Sequence, residues 1–121
     1  KFLGRLVDEE KFKMYANSDL FVLPSWTEGC PNSVLEALGS GLFVVSTDVG
    51  ALKDVVSSGE NGNFVDVKDY QSLAEQLIWV CGNIDQLRAR SSSIKKHAES
   101  LYSTDVIIRT FEGEYRKLIF G

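Results

Sequence analysis

Two short apolar runs, each followed by a loop, constrain the fold of this chain more than any other feature. One covers residues 19–23 and ends at Pro24, and the other covers residues 43–46. Such runs are typical of strands buried on both faces of a parallel sheet. The helix between them is predicted to begin near Pro31 and to end at Gly39–Gly41, because proline suits a helix start and glycine its end. The pattern predicts an α/β fold with a parallel sheet flanked by helices.

Further elements are predicted on both sides of this unit. Residues 2–3 look like the end of a strand that stops at Gly4, and Asp8 is placed to cap a helix. The apolar face of that helix is expected to carry Phe12, Tyr15 and Ala16. Later in the chain, a short helix is predicted at residues 51–57 and a last strand at residues 64–67.

From Asp69 onward the pattern is helical, and it carries three apolar stripes. The first stripe is Leu73, Leu77, Ile78 and Cys81; the second is Leu87, Ile94, Ala98 and Leu101; the third is Ile107, Ile108, Phe111, Tyr115, Leu118 and Ile119. The third, on a helix predicted at 104–120, is the strongest. It is expected either to pack in the core or to reach another domain.

Composition limits the classes of partner. The chain has 121 residues and a formal net charge of −4, which fits one domain over residues 1–121 and argues against nucleic acid as a partner. No apolar stretch approaches the length of a bilayer span. Cys30 and Cys81 are far apart without metal-ligand spacing, so they are expected to be free thiols in a reducing compartment.

The loops that follow the strands are where a ligand is expected, because ligands bind off the carboxyl ends of parallel strands. These loops are residues 24–31, 47–50 and, as a weaker candidate, 4–7. The second helix begins at the end of the first of them. Its free amides around Gly29 to Ser33 are predicted to form an anion site that suits a diphosphate.

Two carboxylates, Glu28 and Glu36, flank this helix start. Carboxylates bind vicinal hydroxyls through charge-assisted hydrogen bonds, so the pair suits a molecule with hydroxyls on both sides of a diphosphate. A nucleotide sugar is such a molecule. The spacing alone also fits two ordinary charges, Glu36 on a solvated helix face and Glu28 in a loop.

The wider segment resembles the Glu–seven–Glu motif of retaining GT-B glycosyltransferases of the group 1, or family 4, type. This large family includes sucrose-phosphate synthases and many polysaccharide and lipopolysaccharide transferases. The resemblance covers roughly residues 1–80. The matching residues are Phe2-Leu3-Gly4, Pro24-Ser25, Glu28-Gly29, Asn32, Leu35-Glu36-Ala37, Gly39 to Gly41, Val44-Val45-Ser46, Val49-Gly50, Asp54-Val55-Val56 and Asn61-Gly62-Asn63-Phe64-Val65.

The resemblance implies a Rossmann-like parallel sheet in a GT-B C-terminal domain, and a role for each site residue. Glu36 is expected to bind the nucleotide ribose, and Glu28 to contact sugar hydroxyls and position the donor as the candidate catalytic residue. The backbone that follows is expected to bind the sugar and phosphates, and Arg5 and Leu6 to approach the base. That backbone segment comprises Gly29, Cys30, Pro31, Asn32 and Ser33.

The resemblance also implies the chemistry. The donor is expected to be a UDP- or GDP-sugar, without metal or other cofactor, and the configuration of its anomeric carbon is expected to be retained. The sequence departs from the family pattern at Cys30, Phe43, Ala51 and Lys53. A non-catalytic nucleotide- or phosphate-binding α/β module is the alternative function.

Parts of the family's machinery are expected upstream of residue 1. They include the basic residues that grip the diphosphate and the domain that binds a sugar or lipid-linked acceptor. The first complete strand, residues 19–23, would then lie at a sheet edge. That edge is expected to pair with a second copy of the chain or to be covered by N-terminal residues. The protein is expected to be cytoplasmic, with peripheral attachment to the inner face of the membrane as an alternative.

The remaining aromatic and basic residues receive less specific predictions. Trp26 either stacks on a sugar or base or, as we favour, packs over its loop. Trp79 is predicted to pack and His97 to be solvated. The basic cluster Arg88, Arg90, Lys95 and Lys96 is predicted to be a solvated face, with a membrane surface as the alternative.

Overall fold

A computed structural model describes residues 1–120 of the chain. Three strands and six helices alternate and then give way to helices alone. In chain order they are α1 (Asp8–Ala16), β1 (Leu20–Leu23), α2 (Asn32–Gly39), β2 (Phe43–Thr47), α3 (Leu52–Val55), β3 (Gly62–Val65), α4 (Tyr70–Gly82), α5 (Ile84–Tyr102) and α6 (Thr104–Phe120).

The three strands form one parallel sheet in the order β1-β2-β3. Leu20 of β1 pairs with Phe43 of β2, and Val44 of β2 pairs with Gly62 of β3. All five residues of β2 are buried, as expected for a central strand with helices on its faces. The predicted α/β fold with a Rossmann-like parallel sheet is confirmed.

The β1 strand lies at an edge of this sheet, as the sequence predicted. Its four residues are half-buried rather than buried, because β2 is its neighbour on one side only. The predicted strand at residues 2–3 is wrong: residues 1–7 form no strand, and Phe2 is 98% exposed. A strand needs a partner ladder, and β1 pairs only with β2. Pairing of this edge with a second copy of the chain stays a prediction.

The first helix differs from the sequence prediction in its cap and in its face. Asp8 does not cap it; Val7 is the N-cap residue, without a side-chain hydrogen bond, and Asp8 is the first helical residue. Of the expected apolar face only Tyr15 packs against the core, where its ring meets Phe21 edge-on at a centroid distance of 5.9 Å. Phe12 is exposed, so one aromatic side chain holds α1 to the sheet.

The third strand begins two residues before its predicted start and ends before Val67. The prediction was based on the apolar side chains of residues 64–67. The extent of a strand is instead set by the backbone hydrogen bonds that it forms with its neighbour. Val44 N–H already donates to Asn61 O at 3.0 Å, so pairing with β2 starts at the turn. The buried Asn61 side chain holds that turn, accepting from Ser57 N–H at 2.7 Å and donating to Val55 O at 3.1 Å.

The stripes of α4 and α5 are partly as predicted. In α4 the buried residue is Val80, whereas Ile78 is 72% exposed and Cys81 is also exposed, so these two predicted positions are wrong. The prediction continued the stripe on the wrong side of the helix. In α5 the predicted residues Leu87, Ile94 and Ala98 are buried; Leu101 is exposed, and Tyr102 packs against the core instead.

The last helix, α6, covers the predicted residues, but its packing in the core is not observed. None of its residues is buried. The side chains of its apolar stripe are all exposed: Ile107, Ile108, Phe111, Tyr115, Leu118 and Ile119. The stripe is therefore no part of this core. Contact with another domain stays a prediction. No helix among residues 1–120 is long and apolar enough to cross a membrane.

Helix α5 packs on α2 and is tied to the start of β1. Arg88 donates to both carboxylate oxygens of Asp19, from Nε and Nη2, at 2.9 Å each. This hydrogen bonding lowers the pKa of Asp19 below its usual value. Asp19 O also accepts from Phe43 N–H at 3.2 Å, so one residue joins α5, β1 and β2.

The α4 assignment can be tested with a matched pair of truncations. Val80→Ala removes two methyl groups from a side chain that is 2% exposed, and should lower the free energy of unfolding by about 2 kcal/mol. Ile78→Ala removes more carbon from an exposed position and should change it by less than about 0.5 kcal/mol. Urea denaturation measures both. A larger loss for Ile78→Ala would show that the helix packs through the other face.

Candidate functional site

The three strands are parallel, so their carboxyl ends lie at the same end of the sheet. Three loops leave the sheet there. They comprise residues 24–31 after β1, residues 48–51 after β2 and residues 66–69 after β3. The first leads directly into α2. The structure thus brings together two of the three loops predicted from the sequence and adds the loop after β3.

Glu28 is held by hydrogen bonds that start from the end of β2. Ser25 Oγ donates to Glu28 Oε1 at 2.6 Å, and the buried Thr47 hydroxyl donates to Ser25 O. Glu28 is half-buried. The second carboxylate oxygen of Glu28 has no hydrogen-bond donor among residues 1–120. Glu28 is thus fixed on one side and keeps acceptor capacity on the other.

Gly50 supports the same loop from the connection after β2. Its φ is +58°, and a Cβ at this position would overlap the carbonyl oxygens of Glu28 and Gly29. The next residue, Ala51, donates its N–H to Gly29 O at 2.9 Å. Only glycine combines this backbone conformation with this close approach. The path of the Glu28 loop therefore depends on a residue in another loop.

The N-terminus of α2 carries free backbone donors. Its N-cap residue is Pro31, which has no N–H and makes no side-chain cap hydrogen bond. The N–H groups of Cys30, Asn32 and Ser33 have no acceptor within the described chain, whereas Val34 N–H bonds to Pro31 O at 3.0 Å. Unsatisfied amides at a helix N-terminus attract anions because they combine hydrogen-bond donors with the positive end of the helix dipole.

Glu36 lies one turn into α2 and contacts α1. Lys11 Nζ forms an ion pair with Glu36 Oε1 at 2.9 Å, and the Tyr15 hydroxyl lies 3.4 Å from Oε2. The Glu36 side chain remains 28% exposed, so solvent reaches it. Burial raises the pKa of Tyr15, and the negative charge and hydrogen bonding of Glu36 add to that increase. Glu36 is therefore a half-buried, partnered carboxylate and not a freely solvated one.

The other predicted site residues are less well placed. Arg5 is exposed and Leu6 is half-buried, and no described hydrogen bond or ion pair joins either one to Glu28 or Glu36. Their approach to a base stays a prediction. Cys30 is exposed and is a free thiol, as is Cys81.

Trp26 differs from its favoured prediction, whereas the basic cluster is solvated as predicted. Trp26 does not pack closely over its loop; it is 66% exposed, with Lys68 Nζ 4.4 Å from its ring centroid. All four residues of the basic cluster are exposed, as predicted, and two of them also anchor α5: Arg88 bonds to Asp19, and Arg90 donates to Gly59 O at 2.8 Å.

Trp79 packs as predicted, although it is 41% exposed, because its ring centroid lies 6.0 Å from that of Phe43. Sequence reasoning missed the roles of Lys11, Tyr15 and Thr47. These residues act across elements, and no spacing within the chain marks them.

Comparisons with known proteins identify the class that this arrangement belongs to. The family model described as "Glycosyl transferases group 1" matches residues 1–83. The D-inositol 3-phosphate glycosyltransferase of Corynebacterium urealyticum is 31% identical over 118 residues, which are 98% of this chain and 28% of that protein. The chain therefore belongs to the group 1 glycosyl transferases.

One further relative agrees with this assignment, and one solved structure shares the fold. The capsular polysaccharide biosynthesis glycosyltransferase CapM of Staphylococcus aureus is 26% identical over 91% of this chain and 29% of its own length. The solved structure of a sucrose-phosphate synthase from Thermosynechococcus elongatus superposes with a TM-score of 0.85 at 24% identity, over 98% of this chain and 30% of that one. The last match shows the fold. The chain spans less than a third of the length of each of these proteins.

The close contact of Gly50 with the Glu28 loop can be tested separately from the cost of its positive φ. Gly50→Ala and Gly59→Ala both place alanine at a positive φ, +58° and +79°, but a Cβ at Gly59 meets nothing within 4 Å. Both variants should lose about 1 kcal/mol from the left-handed backbone. Gly50→Ala should lose about 1–3 kcal/mol more from overlap with the Glu28 loop. Equal losses in urea denaturation would contradict the contact.

The environment of Tyr15 predicts an alkaline loss of stability. Its pKa is raised in the folded state, so its contribution is fully present below pH about 10 and is lost as the pH rises further. Tyr15→Phe should flatten the fall of the unfolding free energy above pH about 10, by at most about 1.4 kcal/mol per pH unit. Denaturation titrations at pH 7 and at alkaline pH measure this. Identical slopes in both proteins would rule it out.

Proposed function

We propose that this chain binds the nucleotide-sugar donor of a retaining glycosyltransferase. The observation that carries the proposal is the uncapped N-terminus of α2, with Glu28 before it and Glu36 one turn into it. A nucleotide sugar has an anionic diphosphate between two groups of hydroxyls. The site has the complementary order: carboxylate, amides, carboxylate.

The diphosphate is proposed to bind the amides of α2. The N–H groups of Cys30, Asn32 and Ser33 are without internal acceptors, and no acidic residue lies in the first turn of the helix. An anion there is stabilised by the helix dipole as well as by hydrogen bonds. The same amides would stabilise the charge that develops on the leaving nucleoside diphosphate, which is where a transferase needs it.

The two carboxylates are proposed to bind hydroxyls on opposite sides of the diphosphate. Glu36 would accept from the ribose through Oε2, beside the long hydrogen bond from the Tyr15 hydroxyl, while Lys11 holds Oε1. Glu28 would accept from the transferred sugar through the oxygen that Ser25 leaves free, and so position the anomeric carbon. Hydrogen bonds that involve a charged group contribute about 1.5–3 kcal/mol each, enough to select a hydroxylated ligand.

The reaction proposed for the whole protein is transfer of a sugar from a UDP- or GDP-sugar to a sugar or lipid-linked acceptor. No metal or other cofactor is included in the proposal. The chain corresponds to less than a third of its relatives, so turnover is expected to require the acceptor-binding part. A cytoplasmic location is proposed with it, because Cys30 and Cys81 are exposed free thiols.

Binding of nucleotides to the purified chain tests the donor site. UDP, GDP and one sugar conjugate of each are compared by thermal denaturation, and one nucleotide series is expected to stabilise the chain. At about a hundred times the dissociation constant, the gain in unfolding free energy should be about 2.7 kcal/mol. Glu36→Gln keeps the shape of the side chain but removes its charge, and should weaken binding about tenfold or more.

Glu75→Gln is the matched control, because Glu75 is an exposed residue of α4 that no hydrogen bond or ion pair within residues 1–120 joins to Glu28 or Glu36. It should bind as the unchanged chain does. Equal binding by the Glu36→Gln and Glu75→Gln variants would contradict the ribose contact.

The non-catalytic module remains the second candidate function. The arrangement of Glu28 distinguishes the two: its fixed, half-buried carboxylate suits positioning of a reacting sugar, whereas a phosphate-binding module does not require it. In the whole protein, Glu28→Gln should abolish sugar transfer while nucleotide binding persists. A protein that transfers sugar equally well with Glu28→Gln would exclude the proposed positioning role.

A further inference from the structure

A pocket separate from the proposed donor site opens beside the Glu28 loop, at the carboxyl ends of all three strands. It has a volume of about 100 Å³ and is lined by parts of each strand-end loop, including Trp26 after β1, Thr47 at the end of β2, and Asp66, Lys68 and Tyr70 after β3. Asp66 and Lys68 of the third loop and Tyr70 at the start of α4 have no role in the donor site proposed above. The pocket is therefore a separate feature of the same edge of the sheet.

Two aromatic side chains on this pocket are exposed. Trp26 is 66% exposed and Tyr70 is 76% exposed. A single exposed aromatic residue is common, but here two residues from loops far apart in the sequence line one pocket. Aromatic side chains supply a large apolar face together with a polar group, a combination enriched in recognition surfaces. Most of the surface of both side chains is therefore accessible to a ligand.

Lys68 is held over Trp26 by a strained backbone. Its φ is +66°, a left-handed conformation that a residue with a side chain adopts at a cost in energy. Its ammonium lies 4.4 Å from the Trp26 ring centroid, within range of a cation–π interaction. Although Asp66 and Asp69 line the same pocket, Lys68 forms no ion pair within residues 1–120. Its three N–H donors therefore stay available.

The pocket also contains free acceptors. The Asp66 carboxylate has no hydrogen-bond donor in the part of the chain that the structure describes. Asp69 uses Oδ1 to accept from Ser72 N–H at 2.9 Å and keeps Oδ2 free. Two carboxylates disfavour a phosphate here. A ligand ring that is apolar on one side would take the place of the Lys68 ammonium on Trp26 and bond its rim hydroxyls to that ammonium and to the carboxylates.

We propose that this pocket is a sugar-binding subsite, with the ring against Trp26 and its hydroxyls bonded to Lys68 and Asp66. Because Trp26 stands two residues before Glu28, we assign the subsite to one sugar unit of the acceptor that reaches this domain, while the rest of the acceptor is held by the acceptor-binding part of the whole protein. That assignment, but not sugar binding itself, depends on the proposed donor site. Contact of this domain with the acceptor would make Trp26 and Lys68 determinants of acceptor specificity.

Amide and indole NMR signals of the isotope-labelled chain test the subsite directly. The chain has two tryptophans, Trp26 and Trp79, so each indole N–H signal can be assigned with Trp26→Phe. Titration with maltose should shift the Trp26 indole and the amides of the loop after β3. The Trp79 indole serves as the internal control, because Trp79 packs near Phe43.

Three variants define the contacts. Trp26→Ala should abolish the maltose-dependent shifts, and Trp26→Phe should retain part of the affinity. Lys68→Met keeps the length of the side chain without its charge, and should weaken maltose binding about tenfold, a difference of about 1.4 kcal/mol. Lys53→Met is the matched control, because Lys53 pairs with Asp48 outside this pocket. Circular dichroism checks that each variant is folded.

Three results would overturn the proposal: no shift of the Trp26 indole with maltose, equal shifts of both indoles, or a stronger response of Trp26 to uridine than to maltose. The last would indicate a nucleobase instead of a sugar. UDP and GDP titrations of the same sample report on the amides of Gly29, Cys30, Asn32 and Ser33. Loss of nucleotide binding and loss of sugar binding are therefore observed separately.

Discussion

The pairing of β2 with a parallel strand on each side is the constraint on which the rest of the structure depends. Because β2 is buried along its whole length, the flanking strands must match it in register, and their loops must leave at the same edge. The loops of both proposed sites are placed by the carboxyl ends of these strands. The free amides of α2 and the strand-end pocket are consequences of how three short strands align.

Sequence reasoning succeeded where a segment's structure depends on its own residues. The two apolar runs were sufficient to predict β1 and β2, and the proline and glycine residues at the ends of the intervening segment were sufficient to predict α2. It failed where a partner decides the outcome. Residues 2–3 have strand-like side chains but no ladder, and the stripe of α6 has helical spacing but no surface within this domain to cover it. Periodicity indicates that a face is apolar; it does not indicate what lies opposite.

The same distinction applies to the candidate site. Glu28 and Glu36 were predicted because the segment that contains them is contiguous and resembles a known motif. The contacts that fix them were not, because Ser25 depends on Thr47, and Glu36 depends on Lys11 from another helix. Such pairs are separated by more than twenty residues and share no spacing rule. Only the fold places them within hydrogen-bond distance.

The close approach of Gly50 to the Glu28 loop has a consequence for engineering. The loops after β1 and β2 fit one another as a single unit, since the backbone of one fills the space that a side chain at Gly50 would need. Grafting residues 24–31 from a relative, in order to change the proposed donor preference, would import a loop shaped by a different neighbour. The two loops would have to be transplanted together, although the sixteen residues 32–47, which contain α2 and β2, separate them in the sequence.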